Sequence, residues 1–173
     1  MADRNVHYEA AFEDYLRCRG WPYVAVDEAK KSAFAGVSLK NFDFLVYSAE
    51  GPNLLVDVKG RKFPDLGRSG GGQSSRAWEN WVTREDIDGL GQWEQVFGQG
   101  FQAVLVFAYW LQGSPQHVPF QDVHFFRQRH YAFAVIRLSD YRTAARPRSA
   151  KWQTLTMPAR QFSQIVKDIA TFL

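Results

Sequence analysis

Residues 42–59 decide the fold, and they read Phe-Asp-Phe-Leu-Val-Tyr-Ser-Ala-Glu-Gly-Pro-Asn-Leu-Leu-Val-Asp-Val-Lys. Two apolar runs, 42–47 and 54–59, enclose a segment rich in turn-forming residues. This pattern predicts two β-strands joined as a hairpin. Because the second run is too apolar for an exposed edge, we expect it to be a buried strand.

The hairpin predicts that two carboxylates lie close together. If the chain folds about residues 50–51, equal counting outward brings Asp43 opposite Asp57 or Val58. Side chains alternate along a strand, so Asp57 and Lys59 point to one face. Neighbouring carboxylates repel each other, and Lys59 with a divalent cation would relieve the repulsion; oxygen ligands favour Mg²⁺ or Mn²⁺. The structural alternative is that Asp43 ends one strand, Asp57 caps another and Lys59 pairs with both.

The rest of the chain predicts an α/β fold, a mixed central sheet with flanking helices. Thr83 can cap a helix whose first turn is acidic. We expect a flexible loop at residues 67–75, because the segment is rich in glycine and serine. The elements expected in chain order are a helix over 5–19, strands over 21–26, 42–47 and 54–59, a helix over 83–97, strands over 103–110, 131–138 and 152–156, and a helix over 158–173.

The composition predicts a folded chain that does not cross a membrane. The 173 residues are 46% hydrophobic and 16% aromatic, which is the size and composition of one globular domain. The longest apolar run, 103–111, is too short to span a bilayer, and the N-terminus lacks the apolar stretch of a signal peptide. The single cysteine, Cys18, cannot form an internal disulfide, so we expect a cytoplasmic location. We expect Cys18 itself to be a small buried residue on the first helix.

The charges are unevenly distributed along the chain, although the net charge is only +3. Two basic segments, 59–84 and 127–151, flank the acidic segment 85–126, which contains no Lys or Arg. This order can give a basic face with an acidic pocket, as an enzyme that cuts phosphodiesters would require. Solvated surface charge is the alternative, and composition alone favours it.

Asp43, followed across the hairpin by Asp57-Val58-Lys59, resembles the PD-(D/E)xK nuclease signature. Holliday-junction resolvases and many restriction endonucleases belong to that superfamily, and its αβββαβ core matches the first six expected elements. The resemblance implies a restriction-endonuclease-like core over about residues 5–110, with accessory strands and a helix over 111–173. The residue before Asp43 is Phe42 and not proline, which is a common substitution in the superfamily.

The first helix carries a second resemblance. Glu9-x-x-Phe12-x-x-Tyr15-Leu16-x-x-x-Gly20 is similar to the E-x-x-A-x-x-Y-L-x-x-x-G helix of resolvase-like members. The glutamate of that helix joins the metal site, which implies that Glu9, and not Glu13, is the third acid.

A narrower resemblance and two departures complete the comparison with the superfamily. Residues 7–13 resemble the motif of the HYExAFE family of uncharacterised bacterial proteins. Gln92 lies where the exonuclease branch has the Gln of Gln-x-x-x-Tyr, but Val96 replaces the Tyr; a solvent-facing glutamine is the alternative. The long insertion at 61–82 is also atypical.

The superfamily resemblance implies metal-dependent hydrolysis of DNA phosphodiester bonds, in DNA repair or recombination. Asp43, Asp57 and the Val58 carbonyl would hold Mg²⁺ or Mn²⁺, with Glu9 as a ligand directly or through water. Lys59 would orient the attacking water. The DNA would be duplex, branched or single-stranded, and a homodimer is implied by the resolvases. Lysine and arginine side chains just beyond the site would contact flanking phosphates, and they are Arg61, Lys62, Arg68 and Arg76.

Two other functions fit the same residues. The chain can be a catalytically silent nucleic-acid-binding relative, although the retained acids and lysine argue against it. It can also be a protein-interaction domain with a fortuitous charge cluster. Trp78 and Trp81 can stack on unpaired bases, but core packing is favoured for large aromatics. Three histidines lack zinc-site spacing with cysteines, and they are His117, His124 and His130. Ordinary polar surface is favoured for them over a helper role in metal or phosphate binding.

Overall fold

The computed structural model describes residues 6–27, 32–34, 37–67 and 77–173. The helices are α1 (Val6–Arg19), α2 (Arg84–Phe97), α3 (Leu138–Ala144) and α4 (Ala159–Ile165). The strands are β1 (Tyr23–Ala25), β2 (Ser32–Phe34), β3 (Val37–Leu39), β4 (Phe44–Val46), β5 (Asn53–Phe63), β6 (Val82–Thr83), β7 (Phe101–Leu111), β8 (His124–Phe126), β9 (Arg129–Arg137), β10 (Arg146–Ser149) and β11 (Thr154–Thr156). Two short 3-10 helices, Pro115–His117 and Ile169–Thr171, complete the described elements.

The main sheet has six strands in the order β1-β4-β5-β7-β9-β8. Only the β5–β7 pair is parallel, and the other pairs are antiparallel, so the sheet is mixed. A three-stranded sheet, β10-β11-β6, and a two-stranded sheet, β2-β3, accompany it. The expected mixed α/β fold with flanking helices is therefore confirmed.

Side chains of β5 alternate between two hydrophobic cores on opposite faces of the main sheet. The α2 core includes Leu55 of β5, Ile87 of α2, Leu105 of β7, Tyr141 of α3 and Phe162 of α4. The α1 core includes Phe12, Leu16, Val56, Val58 and Val106. Because strand side chains alternate, Asp57 and Lys59 point to the face of the α2 core.

The predicted hairpin is present, and its register is the predicted one. Phe44 pairs with Val56 and Val46 pairs with Leu54, which puts Asp43 in line with Asp57. The second strand is longer than expected and runs to Phe63, because it pairs with β7 along its whole length. Sequence patterns did not predict the short elements β2, β3, β6, β8, β10 and α3.

The expected last helix over 158–173 is wrong in its length, because α4 ends at Ile165. The chain then leaves the helix, and Lys167 exchanges two backbone hydrogen bonds with Val135 of β9, at 2.9 and 3.0 Å. Strand β8 covers β9 only as far as Tyr131, so the edge of β9 beyond it is open. Satisfying that edge outweighs continuing the helix.

Cys18 is exposed, which corrects the expectation that it is buried. The buried residues of α1 are Ala11, Phe12, Tyr15 and Leu16, so Cys18 lies on the outer face of the helix. No described helix is long and apolar enough to cross a membrane.

Some expectations fall on residues that the structure does not describe. Asn5, the expected cap of α1, is one of them. Residues 68–76, which hold Arg68, Arg76 and nearly all of the expected glycine-rich loop, also lie outside the described ranges.

Candidate metal and nucleic-acid site

Asp43 and Asp57 are both buried, with 4% and 5% of their surface exposed. The backbone N–H of Val58 donates a hydrogen bond of 2.5 Å to Oδ2 of Asp43, which holds the carboxylate against β5. In antiparallel pairing, the N–H and C=O of one residue point to the same neighbour. The Val58 carbonyl therefore also faces the β4 side, where Asp43 lies.

Lys59 lies between two carboxylates. Its Nζ is 2.8 Å from Oδ2 of Asp57 and 3.1 Å from Oδ1 of Asp86. Burial alone would lower the pKa of Lys59, but Asp57, Asp86 and Asp43 outweigh it and raise the pKa. The ammonium group is therefore charged at neutral pH, with 13% of the side chain exposed.

The carboxyl group of Asp57 is in an unfavourable environment when it is ionised. Burial raises the pKa of Asp57 and repulsion from Asp86 adds to the effect, whereas Lys59 and Lys40 oppose it. The pKa nevertheless remains above its ordinary value. More positive charge beside Asp57 would therefore stabilise its ionised form.

Asp86 belongs to the acidic centre, and the sequence did not assign it there. Its Oδ2 accepts a hydrogen bond of 2.9 Å from the Thr83 backbone N–H, and the Thr83 hydroxyl accepts one from the Asp86 N–H, a capping box that begins α2. Its Oδ1 contacts both Lys59 and Lys40. Burial acts to raise the pKa of Asp86, but Lys59, Lys40 and the Thr83 hydrogen bond hold it well below its usual range. The spacing Thr83-x-x-Asp86 was the sequence signal for the cap, but not for the contact with Lys59.

Glu9 lies on α1, which packs on the sheet face opposite to that of Asp57 and Lys59. Tyr8, its neighbour, covers Gly60, where a Cβ atom would overlap the Tyr8 ring. A contribution of Glu9 to the acidic centre therefore requires its half-buried side chain to extend past this part of β5. Glu13 is engaged elsewhere, with a salt bridge of 2.7 Å to Arg17.

Gln92 is exposed on α2 and lines a surface cleft of about 450 Å³ together with Lys40, Arg84 and Gly89. Neither Asp57 nor Lys59 lines this cleft. The structure therefore does not bring Gln92 together with the acidic centre. Lys40, which lines the same cleft, contacts Asp86 of the centre.

Arg61 is largely enclosed and does not point freely to solvent. Its guanidinium group stacks 4.1 Å from the Trp81 ring centroid and donates to the carbonyls of Gly60, at 2.6 Å, and Trp81. Burial lowers the pKa of Arg61. The Arg148 guanidinium also lies over the Trp81 ring, 5.3 Å from its centroid. The two basic residues beside Trp81 therefore come from distant parts of the chain.

Lys62 is exposed and lies on the other face of β5. Its Nζ is 5.3 Å from the Trp110 ring centroid, and the Arg129 guanidinium is 4.3 Å from the same ring. The two basic segments of the sequence therefore meet twice, at Trp81 and at Trp110. Along β5, Asp57 and Lys59 of the acidic centre come just before Arg61 and Lys62, which reach these two meeting points.

The remaining aromatic and histidine predictions have mixed outcomes. Trp78 is a core residue, only 8% exposed, and it packs edge-on against Phe63 at 5.5 Å. Trp81 is half-buried. His124 is not simple polar surface, because its Nε2 lies 2.8 Å from Oδ2 of Asp14.

Comparisons with known proteins support the fold. No family model matches the chain, so the resemblance to the HYExAFE family is not confirmed, and no curated protein matches it. Among solved structures, the chain is similar to Hjc, a Holliday junction resolvase from the archaeal hyperthermophile Archaeoglobus fulgidus. The two chains are 16% identical, the match covers 96% of this chain and 97% of the other, and the TM-score is 0.53. The chain therefore has a resolvase-like mixed α/β fold.

Proposed function

We propose that this chain is a metal-dependent nuclease that hydrolyses DNA phosphodiester bonds in DNA repair or recombination. One observation carries the proposal. Asp43, immediately before β4, and Asp57 on β5 are buried carboxylates in line with each other, and the Lys59 ammonium is 2.8 Å from Asp57. The similarity of the fold to that of a Holliday junction resolvase supports an activity on DNA.

The donor groups present suit Mg²⁺ or Mn²⁺. Asp43 and Asp57 supply carboxylate oxygens, the Val58 carbonyl faces the same side, and Glu9 is the proposed further ligand, directly or through water. Mg²⁺ commonly uses one or two carboxylates and completes its shell with waters and substrate phosphate. Burial and repulsion from Asp86 raise the pKa of Asp57, so a bound cation would stabilise its ionised form. When bound, the cation would polarise the phosphate and lower the pKa of the attacking water.

Lys59 would hold the attacking water and stabilise negative charge that develops on the phosphate. Its ammonium group has three hydrogens, and Asp57 and Asp86 take up two of those directions. The third direction would serve water or a phosphate oxygen. Asp86 would act as a positioning residue for Lys59. Gln92 would contribute only through the neighbouring cleft that it lines.

The basic residues on both faces of β5 would bind the DNA backbone. Lys62 and Arg129 flank the partly buried Trp110, and Arg148 lies beside Trp81. Arg61 would act mainly by positioning Trp81, since its enclosed guanidinium group donates to the carbonyls of Gly60 and Trp81. Arg68 and Arg76, which follow in the sequence, remain proposed phosphate contacts.

A catalytically silent DNA-binding protein is the second candidate. It is favoured by the ion pairs of Lys59, which already neutralise part of the charge on Asp57 and Asp86. A protein-interaction domain is the third candidate. These alternatives differ in whether DNA is cut, bound only, or not bound.

The decisive experiment incubates supercoiled, single-stranded and four-way-junction DNA with the protein and Mg²⁺ or Mn²⁺. We expect cleavage that chelation abolishes and that Asp57→Asn and Lys59→Ala remove. Asp88→Asn is the matched control, because Asp88 is an exposed aspartate on α2. Cleavage that persists in Asp57→Asn would contradict the proposal; salt-sensitive binding without cleavage would favour the silent protein, and no binding at low salt the interaction domain.

A homodimer is part of the proposal, because two symmetric protomers can cut two strands of one junction. Light scattering of the protein with and without junction DNA measures this. A monomer in both states would remove the dimer and leave the nuclease proposal intact.

A further inference from the structure

A second cluster of ligand-type side chains lies away from the acidic centre. Asp14 and Cys18 are one turn apart on α1, and His124 is on the edge strand β8. One ligand atom from each residue lies within 4.8 Å of the other two. The closest approach is 2.8 Å, from His124 Nε2 to Asp14 Oδ2, and Cys18 Sγ is 3.9 Å from the same oxygen.

We propose that Asp14, Cys18 and His124 bind Zn²⁺, with water as the fourth ligand. Zn²⁺ accepts carboxylate oxygen, thiolate sulfur and imidazole nitrogen in tetrahedral geometry, and three protein ligands with one water is a common arrangement. The thiolate and the imidazole select Zn²⁺ over Mg²⁺, which prefers oxygen ligands. A thiolate and a carboxylate also balance the two positive charges of the ion.

The ligands are held in place before any ion binds. The His124 ring packs edge-on against Tyr15, with centroids 5.5 Å apart, and only 13% of the side chain is exposed. Asp14 and Cys18 point from one face of a helix, where residues four apart are neighbours. Cys18 is exposed, so an ion can reach the thiol from solvent.

Binding would strengthen an existing contact between two elements, since His124 of β8 already lies beside Asp14 and Tyr15 of α1. Strand β8 has three residues and pairs with β9 at the edge of the main sheet. A zinc ion would tie β8 directly to α1, which packs beneath the main sheet. The site is chemically independent of the acidic centre, so it stands or falls separately from the nuclease proposal.

Cobalt spectroscopy tests the site, because Co²⁺ replaces Zn²⁺ in such sites and gives thiolate-to-metal charge-transfer absorption only when sulfur is a ligand. The full chain is titrated with Co²⁺ in excess Mg²⁺ and with a non-chelating phosphine reductant. We expect a charge-transfer band that saturates at one Co²⁺ per chain, is independent of protein concentration, and is bleached by Zn²⁺. The absence of the band, or a stoichiometry that shows an ion shared between two chains, would overturn the proposal.

Two variants test the ligands Cys18 and His124, and a third serves as the control. We expect Cys18→Ser and His124→Gln to lose the band, and Asp57→Asn to keep it, because Asp57 lies at the other site. The exposed position of Cys18 makes Cys18→Ser a mild change for folding. A thermal scan with Zn²⁺ supplies the second readout: the melting temperature should rise in the unaltered chain and in Asp57→Asn, but not in His124→Gln. A band retained in Cys18→Ser, or an equal rise in all variants, would contradict the assignment.

Discussion

Three charged side chains at the acidic centre depend on one another, and Lys59 is the link between them. Its ammonium group neutralises part of the charge on Asp57 from β5 and on Asp86 from α2. Asp86 and Asp57 nevertheless respond to the site in opposite ways. The pKa of Asp86 is lowered by its two lysines and its hydrogen bond, whereas burial raises that of Asp57.

We expect Asp86→Asn to destabilise the protein by about 2 kcal/mol at neutral pH, the scale of hydrogen bonds to a charged group. Asparagine keeps an oxygen for the Thr83 N–H but loses the charge. Because the folded-state pKa of Asp86 is lowered, its stabilising effect is present above the unfolded pKa of about 3.9. The effect should be lost as the pH falls through the folded value, which lies well below the usual range.

Urea unfolding of the protein and of Asp86→Asn, near neutral pH and in acid, measures this difference. The gap between the two free energies of unfolding should shrink in acid. Asp88→Asn on the same helix is the control and should change little. An equal gap at both pH values would mean that the charge of Asp86 does not stabilise the fold.

We expect Asp57→Asn to be more stable than the unaltered chain at neutral pH in the presence of a chelator. The raised folded-state pKa of Asp57 means that its ionised form opposes folding. That loss develops as the pH rises through the folded-state pKa, so the two proteins should converge in acid. Thermal unfolding measures both effects.

Added Mg²⁺ should reverse the order of the two proteins. A cation that binds only the folded state raises its melting temperature. The rise should occur in the unaltered chain and in Asp88→Asn, and be absent in Asp57→Asn. A Mg²⁺ effect that is the same in all three proteins would contradict a metal ligand at Asp57.

At the scale of elements, local patterns were sufficient for the hairpin. The turn residues between β4 and β5 and the period of two along each strand gave the register, and with it the proximity of Asp43 to Asp57. The same information could not give the contact of Asp86 with Lys59, because it depends on how α2 crosses the sheet. It also could not give the end of α4, which is set by the open edge of β9. The roles of the site residues stay predictions.

The packing of α1 on β5 depends on the absence of a side chain at Gly60. A Cβ atom there would overlap the ring of Tyr8, which is itself buried. We expect Gly60→Ala to cost about 1–3 kcal/mol, as overpacking typically does. Because α1 carries Glu9, the variant should also weaken cleavage if Glu9 contributes to the site.

A double-mutant cycle separates this contact from a backbone effect. Tyr8→Ala removes the ring that Gly60→Ala would meet, so the double variant should be more stable than the sum of the single changes implies. Chemical unfolding of the four proteins measures the coupling. Additive costs would place the effect of Gly60→Ala in the strand backbone instead.

At the scale of the whole molecule, charge that is scattered in sequence is gathered around two tryptophans. Lys62 and Arg129 come from different basic segments and meet at Trp110. Composition could show that the segments exist, but their meeting requires β5, β7 and β9 to be neighbours in the sheet.

We expect the double change Lys62→Gln and Arg129→Gln to weaken binding to all DNA sequences alike. Each phosphate contact that is lost should reduce the slope of log affinity against log salt by about 0.9 for duplex DNA. Fluorescence anisotropy across a salt series measures the slope. Arg17→Gln is the control, because Arg17 is exposed and lies about 15 Å along α1 from His7, which contacts Trp110. If the control reduces the slope equally, the binding surface is not at Trp110.

The parallel pairing of β5 with β7 also bears on how the chain reaches its native state. The β4–β5 hairpin closes a short loop, whereas the pairing of Asn53 with Phe101 brings together residues that are separated in sequence by α2 and its flanking segments. Bringing distant segments together costs conformational entropy before their stabilising contacts form, so topologies with such pairings fold slowly. The hairpin can therefore bring its two carboxylates together early, whereas Asp86 reaches Lys59 only when α2 docks. The rate of refolding should accordingly be limited by the pairing of β5 with β7. The contact of Lys59 with Asp86 should form only after that step.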